Sequence, residues 1–220
     1  MIIAIDGSAA SGKGTLAKSL ARQLGYDYLD TGALYRAVGL SLIKAGINPD
    51  NIIENQAVDI SKSLDLDLTN SPLIRDDGVA DMASRVAAIT PVRAALLDLQ
   101  RRFAATPQSG RGAILDGRDI GTVVLPSADL KLFIDAAIET RAARRTKELH
   151  DAGQSAMFRD VLADMQARDK RDRTRSVAPL RAADDAITID TTTMDAAAVL
   201  ALALTYVETA SLARQMDGRA

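Results

Sequence analysis

Short apolar segments alternate along this chain with longer stretches in which apolar residues recur at helical spacing. Five short segments are predicted to be buried strands: residues 2–5, 26–29, 113–115, 130–134 and 186–189. Helices are predicted over about 15–24, 33–45, 77–88, 91–103 and 138–149, and again from about 155 and from about 194. Strands that alternate with helices predict an α/β fold with a parallel sheet covered on both faces.

The stretch over residues 60–68 gives a different pattern. Leu64, Leu66 and Leu68 alternate with Asp65 and Asp67, and a turn is predicted just beyond, at 70–72. Strict alternation of apolar and polar residues is typical of a half-exposed strand. We therefore expect a further strand here, outside the main sheet.

Aspartate follows or ends four of the five predicted strands, at Asp6, Asp116, Asp135 and Asp190. In parallel sheets, ligands bind in the crevice at the carboxyl ends of the strands. The loops after Asp6 and Asp116 are therefore the first candidates for a functional site.

The strongest local motif follows the first strand and opens a helix. It matches G-x-x-x-x-G-K and consists of Gly7, Ser8, Ala9, Ala10, Ser11, Gly12, Lys13, Gly14 and Thr15. Such a loop turns backbone N–H groups toward phosphate oxygens, and Lys13 adds a positive charge for the β- and γ-phosphates. A glycine-rich turn without a ligand is the alternative, which the strand–loop–helix context disfavours. Gly14 occupies the place where most such loops have the magnesium-binding hydroxyl, which is displaced here to Thr15.

A basic run lies near the end of the second half of the chain. Residues 168–175 contain five basic and two acidic side chains. The helical face that carries Val161 and Met165 continues at the same spacing into Arg168, Asp172 and Arg175, so a packed face becomes charged. A solvated charged face is the usual explanation for such a run. The phosphate loop in the same chain favours a different explanation, in which the run binds phosphate, because bringing two phosphate groups together requires cations.

Composition narrows the classes of function. The chain has 220 residues, 47% of them hydrophobic and 25% charged, which suits one globular domain. A net charge of −2 gives no overall attraction to nucleic acid or to an anionic membrane. The absence of Cys excludes disulfides and thiolate catalysis, and His150 is the single histidine. No apolar run reaches the roughly 18 residues of a membrane span, and the N-terminus does not resemble a signal peptide. We expect a cytoplasmic protein.

Four motifs, in order along nearly the whole chain, resemble those of bacterial cytidylate kinases. They are the loop at 7–15, D-T-G-A-L-Y-R at 30–36, D-G-R-D-I-G-T-V-V at 116–124, and the basic run at 168–175 followed by V-A-P-L at 177–180. The resemblance implies a P-loop three-layer fold, with a five-stranded parallel sheet flanked by helices, a small acceptor-binding lobe and a lid. The corresponding ranges are about 1–35, 95–145 and 176–220 for the core, 36–94 for the lobe and 146–175 for the lid.

The resemblance also implies roles for individual residues. It implies that Arg93 and Asp119 recognise the base, with Thr31 near the cytosine. It implies that Arg36, Arg118 and Arg175 bind the acceptor phosphate. It implies that Ser84, Arg168 and Asp172 contact the ribose. Asp116 would orient magnesium through water, and Lys13, Arg36, Arg118 and Arg175 would be catalytic. A carboxylate suits cytosine, whose exocyclic amine is a donor where uracil has an acceptor.

Each of these assignments has a simpler alternative. Arg93 and Ser84 lie on predicted helices and are surface residues in that interpretation. Asp119 pairs with Arg118 or Arg36, and Thr31 caps the helix that follows it. We assign no chemistry to His150. The region between Arg36 and Ser84 is also shorter than in the long-form bacterial enzymes, which carry a β-rich insert there.

The function that the resemblance implies is transfer of the γ-phosphoryl group of ATP, with Mg²⁺, to CMP or dCMP. Partners would be small nucleotides, with no nucleic acid or membrane, and the protein would be a monomer. One alternative is a P-loop kinase for UMP or a small metabolite. Another is a nucleotide-driven switch, although the sequence has no Asn-Lys-x-Asp motif and no Asp-Glu pair after the third strand. A nucleotide-binding protein without catalysis is the third.

Overall fold

A computed structural model describes residues 1–216 and 218. Its strands are β1 (Ile2–Gly7), β2 (Asp27–Asp30), β3 (Ala113–Gly117), β4 (Leu130–Asp135) and β5 (Ile187–Asp190). Its α-helices are α1 (Lys13–Leu24), α2 (Thr31–Lys44), α3 (Glu54–Lys62), α4 (Asp77–Val86), α5 (Thr90–Ala105), α6 (Ile138–Asp151), α7 (Phe158–Thr174) and α8 (Ala196–Met216). The five predicted strands and the alternation with helices are confirmed.

The strands form one parallel sheet in the order β2-β3-β1-β4-β5. Side chains alternate across β1: Ile3 and Ile5 lie in the core that α1 and α8 cover, and Ala4 lies in the core on the opposite face, near α5. Helices on both faces of a parallel sheet make the expected three layers.

The region between α2 and α5 has an apolar core of its own. Leu34 and Val38 of α2 pack there with Met82 of α4 and Leu96 of α5. Within residues 36–94, all of which the structure describes, the regular elements are helical. This segment therefore forms a small helical lobe beside the carboxyl edge of the sheet.

The strand predicted over residues 60–68 is wrong. The first part belongs to α3, and Leu66–Asn70 forms a 3₁₀ helix. Asp65 starts that helix, because its side chain accepts the N–H of Asp67 at 3.0 Å. The Thr69 hydroxyl donates to the Leu66 carbonyl at 2.6 Å, and Leu68 packs beside α2. Local side-chain hydrogen bonds thus outweigh the alternating pattern.

Helix α8 corrects the expectation that no segment has the length and composition of a membrane span. By those two measures alone, it is the single helix in the described part of the chain that is long and apolar enough. One such helix is weak evidence, since core helices pass the same test. Val199, Ala203 and Val207 of α8 are buried in the core against β1 and β4.

Gly7, where β1 enters the loop, leaves no room for a side chain. Its φ is 155°, and a Cβ placed there would lie 2.0 Å from the carbonyl oxygen of Ile134. We expect Gly7→Ala to lower the free energy of unfolding by about 3 kcal/mol, because β1 and β4 must separate to admit the methyl group.

The control is Gly153→Ala. Gly153 also has a positive φ, 76°, but no atom lies within 4 Å of its added Cβ. That variant should lose only about 1 kcal/mol. Urea unfolding of both variants makes the comparison, and equal losses would contradict the close packing of Gly7 against β4.

Candidate active site

The phosphate loop connects β1 to α1 at the carboxyl edge of the sheet. Gly12, the N-terminal cap of α1, has a φ of 89°, and Ala10 has a φ of 56°. The Lys13 ammonium lies 3.4 Å from the Ser8 carbonyl oxygen, and desolvation lowers the pKa of Lys13 to about 7. The Ser11 hydroxyl is buried without a hydrogen-bond partner. An unpartnered hydroxyl and a desolvated ammonium in one loop suit a polyanionic ligand.

Asp116 lies beside the loop, at the end of β3. A Cβ added to Gly14 would lie 3.4 Å from its Oδ2 atom, and the Tyr28 hydroxyl donates to its Oδ1 atom at 3.0 Å. Burial raises the pKa of Asp116 to about 6, and the nearby Asp30 adds to that shift, while Lys13 opposes it. The carboxyl group is therefore mostly ionised at neutral pH. It faces the side of the loop on which Gly14 replaces the usual hydroxyl residue.

A cleft of about 480 Å³ opens next to the loop. All nine predicted acceptor-site residues line it: Thr31, Arg36, Ser84, Arg93, Arg118, Asp119, Arg168, Asp172 and Arg175. They come from α2, α4, α5, the loop after β3, α7 and the residue after α7. The structure thus brings together residues that are up to 144 positions apart in the sequence. Their individual roles stay predictions.

Asp119 lines this cleft and is buried, at 5% exposed. It pairs with Arg93, and the Arg175 guanidinium lies 3.6 Å from its other oxygen. The alternative in which Asp119 pairs with Arg118 or Arg36 is therefore wrong. Burial raises the pKa of Asp119, although Arg93 and Arg175 oppose the shift. The Arg93 guanidinium also lies 5.8 Å from the centre of the Tyr35 ring.

Asp172 is the second carboxylate in the cleft. It accepts hydrogen bonds from the Arg118 guanidinium and from the Ser84 hydroxyl, both at 3.1 Å. Burial alone would raise the pKa of Asp172, but Arg118, Arg168 and Arg175 together hold it below its usual value. This carboxylate joins helix α7 to helix α4 through Ser84.

The interpretation of Arg93 and Ser84 as surface residues is wrong, since each is only 8% exposed. Thr31 is not the cap of α2: the Asp30 side chain caps it, and the Thr31 hydroxyl donates to the Asp116 carbonyl at 2.8 Å. His150 is exposed and lies 2.8 Å from the Ala156 carbonyl oxygen, outside the cleft.

Arg168 carries the least compensated charge of the cleft. Its Nε atom is buried without a hydrogen-bond partner, and within residues 1–216 and 218 no carboxylate lies within ion-pair distance of it. Burial, and then the neighbouring Arg118, lower the pKa of Arg168 to about 10. Five arginines and two aspartates line the cleft, so positive charge is in excess. Such a site favours an anionic ligand.

Several contacts at the site were not predicted from the sequence. Asp30 holds the Arg36 guanidinium at 2.6 Å, and Asp81 of α4 holds Arg171 of α7 at 2.7 Å. Arg173 reaches the Ser8 hydroxyl at 3.4 Å and Asp135 at 3.1 Å. Asp30 belongs to the D-T-G-A-L-Y-R motif, and Arg171 and Arg173 belong to the basic run. Membership of these motifs was therefore the sequence signal that could have identified the three residues.

A second cleft, of about 750 Å³, opens at the phosphate loop. The loop residues 10–12 line it together with Arg144, Thr191 and Met194. The Arg144 guanidinium is fixed there by the Thr191 carbonyl at 2.6 Å and the Thr191 hydroxyl at 3.0 Å. The phosphate loop thus borders a second cleft that shares no lining residue with the first.

A phosphate loop on a parallel sheet, with an arginine-lined cleft beside it, defines a P-loop kinase. The family model for cytidylate kinase matches residues 3–209. The chain belongs to the cytidylate kinase family.

Individual relatives agree with this assignment. The chain is 56% identical over 205 residues to the cytidylate kinase of Paramagnetospirillum magneticum, and the aligned part covers 92% of this chain and 95% of that protein. It is 52% identical to the cytidylate kinase of Rhodospirillum rubrum, over 93% of this chain and 95% of that protein. A gluconokinase structure from Sinorhizobium meliloti superposes with a TM-score of 0.51 at 15% identity, over 99% of this chain and 96% of that one. That last likeness concerns the fold alone.

The unpaired charge of Arg168 generates a prediction about stability. We expect Arg168→Met to raise the free energy of unfolding of the ligand-free protein by about 1–2 kcal/mol, because it removes a buried charge and keeps the apolar stem. The same variant should gain less thermal stability from added CMP than the wild type does.

The matched control is Arg159→Met on the same helix. Arg159 is exposed, with 87% of its side chain accessible. It should change stability by no more than about 0.5 kcal/mol. Thermal unfolding with and without CMP compares the three proteins; a ligand-free Arg168→Met variant less stable than wild type would contradict the excess of charge.

Proposed function

We propose that this protein transfers the γ-phosphoryl group of ATP to CMP or dCMP, giving CDP or dCDP and ADP. The observation that carries the proposal is the cleft beside the phosphate loop, in which a buried Arg93–Asp119 pair lies among further arginines. This combination suits a phosphorylated molecule with a hydrogen-bonding base. Membership of the cytidylate kinase family supports the same substrates.

The donor triphosphate would occupy the loop at 7–15, with Lys13 near its β- and γ-phosphates. Binding of a polyanion would favour the charged ammonium and oppose the lowering of the Lys13 pKa by burial. The base of the donor would extend into the second cleft, against the fixed Arg144. Membership of the cytidylate kinase family supports ATP as the donor.

The acceptor would lie in the first cleft with its phosphate toward the loop. Arg36, Arg118 and Arg175 would hold that phosphate, and Ser84, Arg168 and Asp172 the ribose. Asp119 would accept a hydrogen bond from the cytosine amine, with Arg93 holding the carboxylate and Thr31 near the base. Uracil presents a carbonyl oxygen at that position, so a buried carboxylate would face an acceptor with no hydrogen between them.

Transfer would be a direct in-line displacement. The acceptor phosphate oxygen attacks the γ-phosphorus while the bond to the β-phosphate oxygen breaks, and ADP leaves with that electron pair. The second pKa of a phosphate monoester is about 6, so the acceptor is largely ionised at neutral pH and needs no general base. The work left to the protein is positioning and charge neutralisation, from Lys13, the loop N–H groups and the arginines.

The residues around the phosphate loop fit Mg²⁺ held mainly by nucleotide oxygens and water. No group of three His, Cys, Asp or Glu side chains suited to a metal occurs among the residues that the structure describes. Asp116 offers a hard oxygen donor beside Gly14, and it would orient the ion through water. Bound there, the ion would neutralise charge on the transferring group.

The segment 146–175 would exclude water from the reaction. It already contacts the lobe through Arg171 and Asp81, and the loop through Arg173 and Ser8. Water in the site would hydrolyse ATP. We also propose that the protein is cytoplasmic and acts as a monomer.

The proposal predicts the order of acceptors. ADP formation from ATP and Mg²⁺ should be stimulated by CMP and dCMP well above UMP and AMP. Asp119→Ala should erase the preference for CMP over UMP, because it removes the acceptor for the cytosine amine, and kcat/KM for CMP should fall about 100-fold.

The control for this assay is Asp185→Ala. Asp185 is also paired with a basic residue, Lys131, but its side chain is 67% exposed and lies outside the cleft. It should keep the wild-type order of acceptors. Equal stimulation of the wild type by CMP and UMP would overturn base recognition by Asp119, and no stimulation by any monophosphate would overturn the acceptor class.

A further inference from the structure

Asp6 is the last residue of β1 before the phosphate loop begins at Gly7, and it is buried, at 4% exposed. Its Oδ1 atom accepts the backbone N–H of Ile120 and its Oδ2 atom accepts that of Gly121, both at 2.8 Å. No side-chain donor among the described residues contacts it. The two oxygens of one carboxylate thus accept hydrogen bonds from two successive backbone N–H groups, which lie more than a hundred residues away in the sequence.

The backbone that Asp6 holds, at Ile120 and Gly121, directly follows the two residues proposed to contact the acceptor. Arg118 and Asp119 precede Ile120, and a π-helical turn begins at Ile120 and ends at Val124. The turn is closed on Asp119, whose carbonyl accepts the N–H groups of Val123 and Val124. Fixing the N–H vectors at both 120 and 121 therefore fixes the backbone direction in which Asp119 leaves β3.

A buried carboxylate at this position is costly. Burial raises the pKa of Asp6 to about 7, and the adjacent Asp119 adds to that shift, while the two N–H groups and Arg118 oppose it. An asparagine would avoid burying a charge but has only one acceptor oxygen. Two backbone N–H groups need an acceptor here at the same time. A carboxylate accepts both, whereas an amide accepts only one.

We propose that Asp6 is a positioning residue for acceptor recognition, which holds the Arg118–Asp119 segment in register with the phosphate loop. Asp6 does not touch either substrate. It acts through the backbone of Ile120 and Gly121, and so fixes the segment that recognises the acceptor relative to β1, the strand that leads into the phosphate loop. The inference rests on the proposed function, because it concerns recognition of CMP.

The test is Asp6→Asn. Its amide would place an N–H₂ group against one of the two backbone N–H groups, which displaces the segment and with it the Asp119 carboxylate. We expect KM for CMP to rise about 10-fold, and the ratio of kcat/KM for CMP to that for UMP to fall about 10-fold, as for the loss of one charged hydrogen bond. KM for ATP should stay at the wild-type value, since β1 remains paired on both sides.

The control is Asp129→Asn. Asp129 makes the same kind of contact at the other end of β1, where its Oδ2 atom accepts the Ile2 N–H at 2.6 Å. This variant should keep the wild-type ratio of CMP to UMP. A merely structural carboxylate at Asp6 would behave as Asp129 does.

The outcomes separate this inference from the proposed function. A wild type that does not prefer CMP overturns the proposed function; a wild type that prefers CMP, with the preference intact in folded Asp6→Asn, overturns the role of Asp6 alone.

If Asp6→Asn does not fold, hydrogen exchange on the wild type decides. We expect CMP to slow exchange of the Ile120 and Gly121 amides more than that of Ile2. Equal slowing, or none, would overturn the positioning role.

Discussion

The register of the three strands β2, β3 and β1 is the constraint on which the site depends. Parallel pairing sets Asp6 opposite Gly117, Ile5 opposite Asp116, and Asp30 opposite Asp116. The carboxyl ends of all three strands therefore meet at one edge. The phosphate loop, the Arg118–Asp119 segment and the start of α2 emerge within a few ångströms of each other because of this pairing, and a shift of register would separate them.

The second constraint is electrostatic. The cleft gathers five arginines, and Asp119 and Asp172 compensate only part of their charge. Burying like charges together costs stability, which Arg168 illustrates, since its Nε atom has no hydrogen-bond partner. An acceptor phosphate would supply the missing negative charge. The arrangement is thus suited to binding an anion at the expense of the stability of the free protein.

The sequence contained enough information for the fold and for the identity of most of the cleft residues. Apolar runs such as 113–115 and the loop at 7–15 are local patterns that depend on few distant contacts. The segment 60–68 was mispredicted because alternation of Leu and Asp is compatible with a strand or with a capped 3₁₀ helix, and Asp65 decides between them through one local hydrogen bond. The region has no neighbouring strand to make the extended form favourable.

The contacts within the site were harder to predict than its members. Nothing in the helical pattern of α4 or α5 distinguishes a polar residue that faces a cleft from one that faces solvent. The sequence therefore could not predict whether Ser84 and Arg93 are buried. The partner of Asp119 depended on which arginine the fold brings nearest. The contact of Asp6 with Ile120 spans 114 residues and is made to backbone, whose chemistry is the same at every position.

In the proposed acceptor site, Asp119, held by Arg93, would recognise the base, and Arg36, Arg118 and Arg175 would bind the phosphate. A crystal structure of the protein with CMP tests this most directly. We expect the cytosine amine within hydrogen-bond distance of the Asp119 carboxylate and the phosphate in contact with Arg36, Arg118 and Arg175. CMP bound with its base away from Asp119, or with its phosphate in the loop at 7–15, would contradict the account.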